Sequence, residues 1–236
     1  MTTSRAPLPS GWARTTLGEV TVEAISQDGP QSSPTFTYID ISSIDNCTKR
    51  IADPKTLPTT KAPSRARQNL RAGDVVVSMT RPNLNAVALL PDALDNVVGS
   101  SGLHVLRPTN VESSWLLTAV QTHDFIRAMS QVVQGALYPA VRPKDIRGWS
   151  LLLPPIREQQ RIADALDELL SDLDAGVAAL QRAKAKLALY RASILKAAVT
   201  GALTAEWREK HPHTEPASEL LARILVERRR NWEEEQ

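Results

Sequence analysis

One heptad register runs unbroken over residues 162–197 and imposes a long, partner-seeking helix on the second half of the chain. With Leu166, Leu173, Leu180, Leu187 and Ile194 at the a positions, the d positions fall on Ile162, Leu169, Gly176, Ala183, Tyr190 and Ala197. Every a residue is aliphatic and half of the d residues are small. A helix of period 3.6 drifts by about 20° per heptad against such a stripe, so the strict seven-residue repeat predicts coiled-coil packing. Small d residues let a partner backbone come close. At about 1.5 Å per residue the segment is on the order of 54 Å long, too long for the preceding 155 residues to cover. The alternative, one helix folded over a globular core, is therefore disfavoured.

The remaining bulk properties are permissive. The 236 residues have room for one or two domains, and 42% apolar content suffices for a core, although only 4% of residues are aromatic. The single cysteine, Cys47, permits no intrachain disulfide, which favours a reducing, cytoplasmic setting. The opening MTTSRAPLPSGW lacks an apolar core of the signal-peptide kind, and no uncharged stretch is apolar enough for a spanning helix. No membrane role is expected. Net charge is only +2, but residues 49–81 carry eight cations against Asp53 and Asp74.

Pattern divides the chain into three: a mixed domain at residues 1–155, a long coiled-coil helix at 156–202 and a polar helical tail or linker at 203–236, an α+β arrangement. Short β-rich runs at 36–44, 74–79, 86–90, 102–106 and 149–153 end in turn residues. Between the last two, residues 113–133 show apolar spacings of three and four, predicting two helices broken near His123. The absence of βαβ alternation disfavours a doubly wound parallel sheet. Pro154 and Pro155 close the last strand and prepare a helix start, with Glu158 in the first turn and Gly201 as the stop. Residues 203–210 and 216–236 read as short polar helices.

Catalytic chemistry finds no carrier. There is no glycine-rich phosphate loop and no thiolate zinc pattern. His211 and His213 flank Pro212 in a polar linker without a further ligand, and Ser193 with Lys196 sits on the flank of the coil. Asp53-Pro54-Lys55, with Asp45 upstream, loosely matches the acidic and lysine trio of metal-dependent nucleases. Here the proline lies in a turn-like run instead of a strand, so a resident nuclease is a remote alternative and a metal site is not expected.

Binding has better support. Arg65, Arg67 and Arg71 surround a loop that ends at Gly73, and Arg81 directly follows a strand. Strand ends and loops are where a rigid scaffold presents contact residues. In RPNLNAV, an extended backbone would point Arg81, Asn83 and Asn85 the same way. Arginine can pair bidentately with guanine and asparagine with adenine, while Lys61, Arg65, Arg67 and Arg71 suit phosphates. Ser100, Ser101 and His104, and Tyr138 in the GALYPAV turn, are secondary candidates for the same double-stranded DNA. The competing readings are a solvated basic edge whose asparagines make turns and, for the chain as a whole, a structural coiled-coil adaptor whose globular end binds protein.

Several strings in this order resemble the specificity subunit of type I restriction-modification enzymes: LPSGWARTTLGEV, YIDISSID, APSRARQNLRAGDVVVSMTRPN, QGALYPAVRPKDIRGWSLLLPPIREQQRIADAL and GALTAEWREKHP. The resemblance covers nearly the whole chain. It implies a target recognition domain at residues 1–155 and a spacer helix of the kind that pairs antiparallel with another. Members typically hold two such domains and two such helices; this chain has one of each. It is then either a half-subunit that self-associates or the first half of a longer protein. The resemblance further implies docking to adenine methyltransferase subunits and, in the full complex, to the translocating endonuclease subunit. S-adenosylmethionine, ATP and magnesium would act on those partners, with no cofactor and no catalysis on this chain. Two recognition domains held by a rod of about 54 Å would read two half-sites no more than roughly 16 base pairs apart.

Overall fold

A computed structural model describes residues 8–31, 33–133, 139–212 and 215–234. In chain order the elements are β1 (Ala13–Thr16), β2 (Thr35–Ile39), β3 (Ile44–Asp45), β4 (Arg50–Ile51), β5 (Lys55–Pro58), β6 (Ala66–Asn69), β7 (Val75–Ser78), β8 (Val87–Leu89), β9 (Val97–Ser100) and β10 (Leu103–Leu106). They are followed by α1 (Ser113–Gln121), α2 (His123–Gln131), α3 (Pro143–Arg147), β11 (Ser150–Leu153), α4 (Ile156–Val199), α5 (Ala205–Lys210) and α6 (Ala217–Glu234). The chain divides into two compact units, Met1–Leu169 and Leu170–Gln236.

The first unit is built on β7. Its three valines alternate: Val75 and Val77 pack with Leu17, Leu106, Trp115, Leu116 and Phe125, while Val76 packs with Ile39, Leu70, Val97 and Leu103 on the other side. Both faces of the strand are therefore buried, which is why the segment is continuously apolar. β7 is the centre of the antiparallel sheet β10-β7-β8, and a second sheet runs β5-β2-β9-β6. Among the described residues only β2 and β9 pair in parallel. Asp74, immediately before β7, is 1% exposed and receives both Nε and Nη2 of Arg107 at 2.8 Å, a bidentate pair that neutralises the buried carboxylate. β1 pairs antiparallel with β11, Ala13 opposite Leu153, so the first strand of the head is stitched to the last one before the long helix.

The root of α4 belongs to this unit. Gln159 is buried, its Oε1 accepting from Glu112 N at 2.9 Å and its Nε2 donating to Pro154 O at 2.8 Å. Trp12 Nε1 donates to Glu158 Oε2 at 3.0 Å, Ala163 is buried and Ile162 packs on the core. Further along, Leu169, Leu173, Leu180, Leu187 and Tyr190 are between 61% and 72% exposed, so beyond the root of the helix these a and d positions are uncovered among the described residues. The helix ends at Val199, and Gly201 takes the left-handed conformation (φ 75°) that stops it.

Several sequence expectations need correction. Residues 36–44 do not form one strand: the Asp40 carboxylate accepts from Ser42 N and Ser43 N while Ser43 Oγ accepts from Asp40 N, and this closed capping box turns Ile41–Ser43 into a 3-10 helix. The sequence pattern marks no strand between residues 44 and 74, whereas the basic run contains β4, β5 and β6. The helix pair at 113–133 is present, broken at Thr122. α3 and β1 were not anticipated.

Candidate nucleic-acid interface

Backbone hydrogen bonds gather four chain segments at one end of the first unit. Ser101 N donates to Arg65 O at 2.8 Å, Met79 N to Gly102 O at 3.0 Å, Val141 N to Met79 O at 2.8 Å and Arg81 N to Pro139 O at 2.9 Å. Thr80 and Ala140 form an isolated bridge between two of them. The start of β6, the end of β7, the β9–β10 turn and the strand-like segment before α3 are thus held side by side. Arg65, Thr80, Arg81, Asn83, Leu84 and Ser101 are all exposed there.

The cations follow the same end in part. Lys61 lies in the 3-10 turn Thr59–Lys61, four residues before Arg65, and Arg67 on β6 turns its Nε back to Ser64 O at 3.1 Å. Arg71 is separate: its backbone N donates to Asp74 Oδ2, at the start of β7, whereas Arg81 follows the end of that strand. None of Lys61, Arg65, Arg67, Arg71 and Arg81 forms an ion pair among the described residues. Exposed cations without an ion pair attract a polyanion without first having to give up a carboxylate partner. Lys55 differs, because its Nζ is paired with Asp40 at 3.3 Å.

Other predicted site residues are placed differently. The RPNLNAV segment is not extended: Arg81 and Asn85 are left-handed and flank a 3-10 turn, Pro82–Leu84. Asn85 therefore turns inward, 5% exposed, with Nδ2 donating to Val120 O at 2.9 Å. Ser100 is also buried, its Oγ accepting from Gly102 N. His104 lies in β10 with Nε2 buried and unpartnered among the described residues; burial first, and then the charge of Arg147, bring its imidazole down to about 4. These three are scaffold, so of the Arg81, Asn83, Asn85 trio only the first two reach the surface. Tyr138 lies outside the described residues, as does His213.

The loose nuclease pattern is not assembled into a site. Asp45 accepts from Cys47 N and Thr48 N in a turn, Lys55 is paired with Asp40 instead of Asp45 or Asp53, and no cluster of three potential metal ligands occurs among the described residues. Sequence reasoning missed Thr80 and Leu84, which only the turn geometry exposes, and it missed Gln159. The signal for Gln159 was present: PPIREQQ puts a polar side chain one turn before Ala163, on the face that the helix root buries.

Comparison with known proteins agrees with this architecture. Residues 9–180 match the type I restriction modification DNA specificity domain, and the chain belongs to that family. It is 23% identical over 225 residues to the specificity subunit of the type I restriction enzyme EcoDI from Escherichia coli, covering 94% of this chain and 50% of the relative. It is 26% identical to the StySPI specificity subunit from Salmonella potsdam, covering 95% and 50%. The solved HsdS subunit from Thermoanaerobacter tengcongensis superposes with a TM-score of 0.66 at 34% identity, over 74% of this chain and 46% of that one. A structure described for complex assembly and conformational transition of the type I R-M system gives 0.65 at 30% identity, over 89% and 53%. The chain spans about half the length of these relatives. Its mixed sheet domain followed by a long helix is the arrangement of the family, and no helix among the described residues is long and apolar enough to cross a membrane.

Proposed function

We propose that this chain is a DNA sequence-specificity module that reads one half of a bipartite target and docks adenine methyltransferase subunits, and through them a translocating endonuclease. The observation that carries it is the convergence of unpaired Arg65 and Arg81 with Asn83 and Ser101 at one end of a domain of the specificity family. Arg81 and Asn83 are the candidates for base edges, and Lys61, Arg65 and Arg67 for phosphates. Arg71 would reach only a more distant phosphate. The chain would supply no catalysis; S-adenosylmethionine, ATP and magnesium would act on the partner subunits, and the methyltransferase would take the flipped adenine.

The uncovered stripe of α4 would take an antiparallel helix, either a second copy or a second half of the same protein. Two features support a second copy. Between residues 162 and 199 all the acids (Asp164, Asp167, Glu168, Asp172, Asp174) precede all the bases (Arg182, Lys184, Lys186, Arg191, Lys196). An antiparallel copy sets each block against its opposite, although the same polarity also suits the helix dipole. The heptads agree independently: a two-fold axis at Ala178 puts every a residue opposite a d residue, with Leu173 facing Ala183 and Leu180 facing Gly176. Large residues then meet small ones near the axis.

The test is co-expression of the chain with its methyltransferase subunit and genome-wide mapping of modified adenines. Two inverted half-sites separated by unread bases are expected from paired copies. Methylation without any sequence preference, or none that depends on this chain, would overturn the proposal.

A further inference from the structure

The turn that carries Arg81 and Asn83 is strained and anchored from beneath. Arg81 (φ 48°) and Asn85 (φ 46°) bracket Pro82–Leu84 in left-handed conformations. Asparagine tolerates that region, but an arginine Cβ crowds its own carbonyl there. Such backbone persists only where its surroundings over-determine it. Here Arg81 N is held by Pro139 O at 2.9 Å, Asn85 Nδ2 by Val120 O at the last turn of α1, and Asn85 O by Lys49 Nζ at 2.6 Å. The two sides of the turn are unlike. Pro82 and Asn85 are buried, with Asn85 beside Val87, Phe125 and Met129, whereas Arg81, Asn83 and Leu84 face solvent.

Asn85 is a poor choice for stability alone. Its Nδ2 is satisfied, but its Oδ1 is buried without a partner among the described residues, and a half-satisfied amide in an apolar setting gains little net free energy. What the side chain does fix is the location of the turn relative to α1. We propose that Asn85 is a positioning residue for base recognition: it pins the turn so that Arg81 and Asn83 meet base edges in one geometry. This deepens the DNA-reading proposal and rests on it. Paired hydrogen bonds from arginine to guanine or from asparagine to adenine need placement within about half an ångström, so a loosened turn loses discrimination before it loses attraction to phosphates.

The test uses the full chain co-expressed with its methyltransferase subunit, comparing the methylated motif of the parent with those of Asn85→Ala and Asn85→Gly. Glycine keeps the left-handed backbone without the anchor, and alanine keeps neither. Both variants should relax preference about tenfold or more at the same one or two positions, leaving the other positions and low-salt DNA retention as in the parent. Full discrimination by Asn85→Gly would overturn the inference, since backbone conformation alone would then suffice. So would a loss spread evenly over every position in step with a lowered Tm, which marks a merely structural residue. Lys49→Met removes the contact to the Asn85 carbonyl together with a cation beside Asp45, and serves if the Asn85 variants do not fold; relaxation at single positions supports the inference and an unchanged motif overturns it. A parent that yields no motif sinks the DNA-reading proposal itself, and this inference with it.

Discussion

His104 and Asp74 show how single groups inside the head set its response to acid and to substitution. The His104 imidazole titrates near 4 in the folded chain because burial and Arg147 disfavour its charged form, against an ordinary value of 6.5. Between those values the unfolded chain binds more protons than the folded one. Stability is therefore fully present above pH 6.5 and falls as pH drops toward 4, by up to about 1.4 kcal/mol per unit. Thermal melts at pH 7, 5.5 and 4.5 should show the parent losing more Tm than His104→Gln; parallel curves would assign the acid sensitivity to other groups. At Asp74 the issue is a stranded charge. Asp74→Ala leaves the Arg107 guanidinium and Arg71 N without their carboxylate, which should cost about 3–5 kcal/mol. Replacing Arg107 by Leu in the same chain should restore part of that in urea denaturation, whereas additive losses would mean the pair is not the cause.

At the level of elements, α4 makes a prediction in which two effects have opposite signs. Gly176 has open space where a Cβ would project, so Gly176→Leu should strengthen the isolated helix by about 1 kcal/mol through propensity. In the antiparallel pair the same leucine meets Leu180 of the second copy and overpacks, at about 1–3 kcal/mol per crowded site. Sedimentation equilibrium should then show a weaker dimer while helicity at 222 nm holds or rises; a tighter dimer would refute the axis at Ala178. The elements also show what a sequence can disclose. α4 was legible because a seven-residue stripe is a local pattern repeated many times. So were β7 and β8, whose apolar runs reflect burial on both faces. β5, β6 and β9 were not, because KTLP, ARQN and VVGS carry a proline, polar residues or a glycine in place of a β-rich run and are fixed by cross-strand partners, Val98 sitting opposite both Tyr38 and Asn69. The site fared likewise. Arg65 and Arg81 could be picked out as exposed cations, but the inward turn of Asn85 depends on Val120, 35 residues away.

For the whole molecule, spacing is the property that no single residue carries. α4 has 44 residues and so is about 66 Å long, with its root locked into the head through Gln159 and Glu158. If two copies pair with their ends aligned, the separation of the heads follows the length of the rod. Removing residues 170–176 takes out one heptad, preserves the a/d register and shortens the rod by about 10.5 Å, close to three base-pair steps. Methylation mapping of that variant should return the same two half-sites with about three fewer unread bases between them. The duplex complicates the outcome in a definite direction. Three base pairs also turn one half-site by about 100° around the axis at 10.5 base pairs per turn, whereas deleting a full heptad barely rotates the helix face. The variant should therefore modify its new target less efficiently than the parent modifies its own, because one head must twist to regain the groove. An unchanged gap would show that separation is set by contacts outside the rod, and the coil would then be a clasp without being a measure.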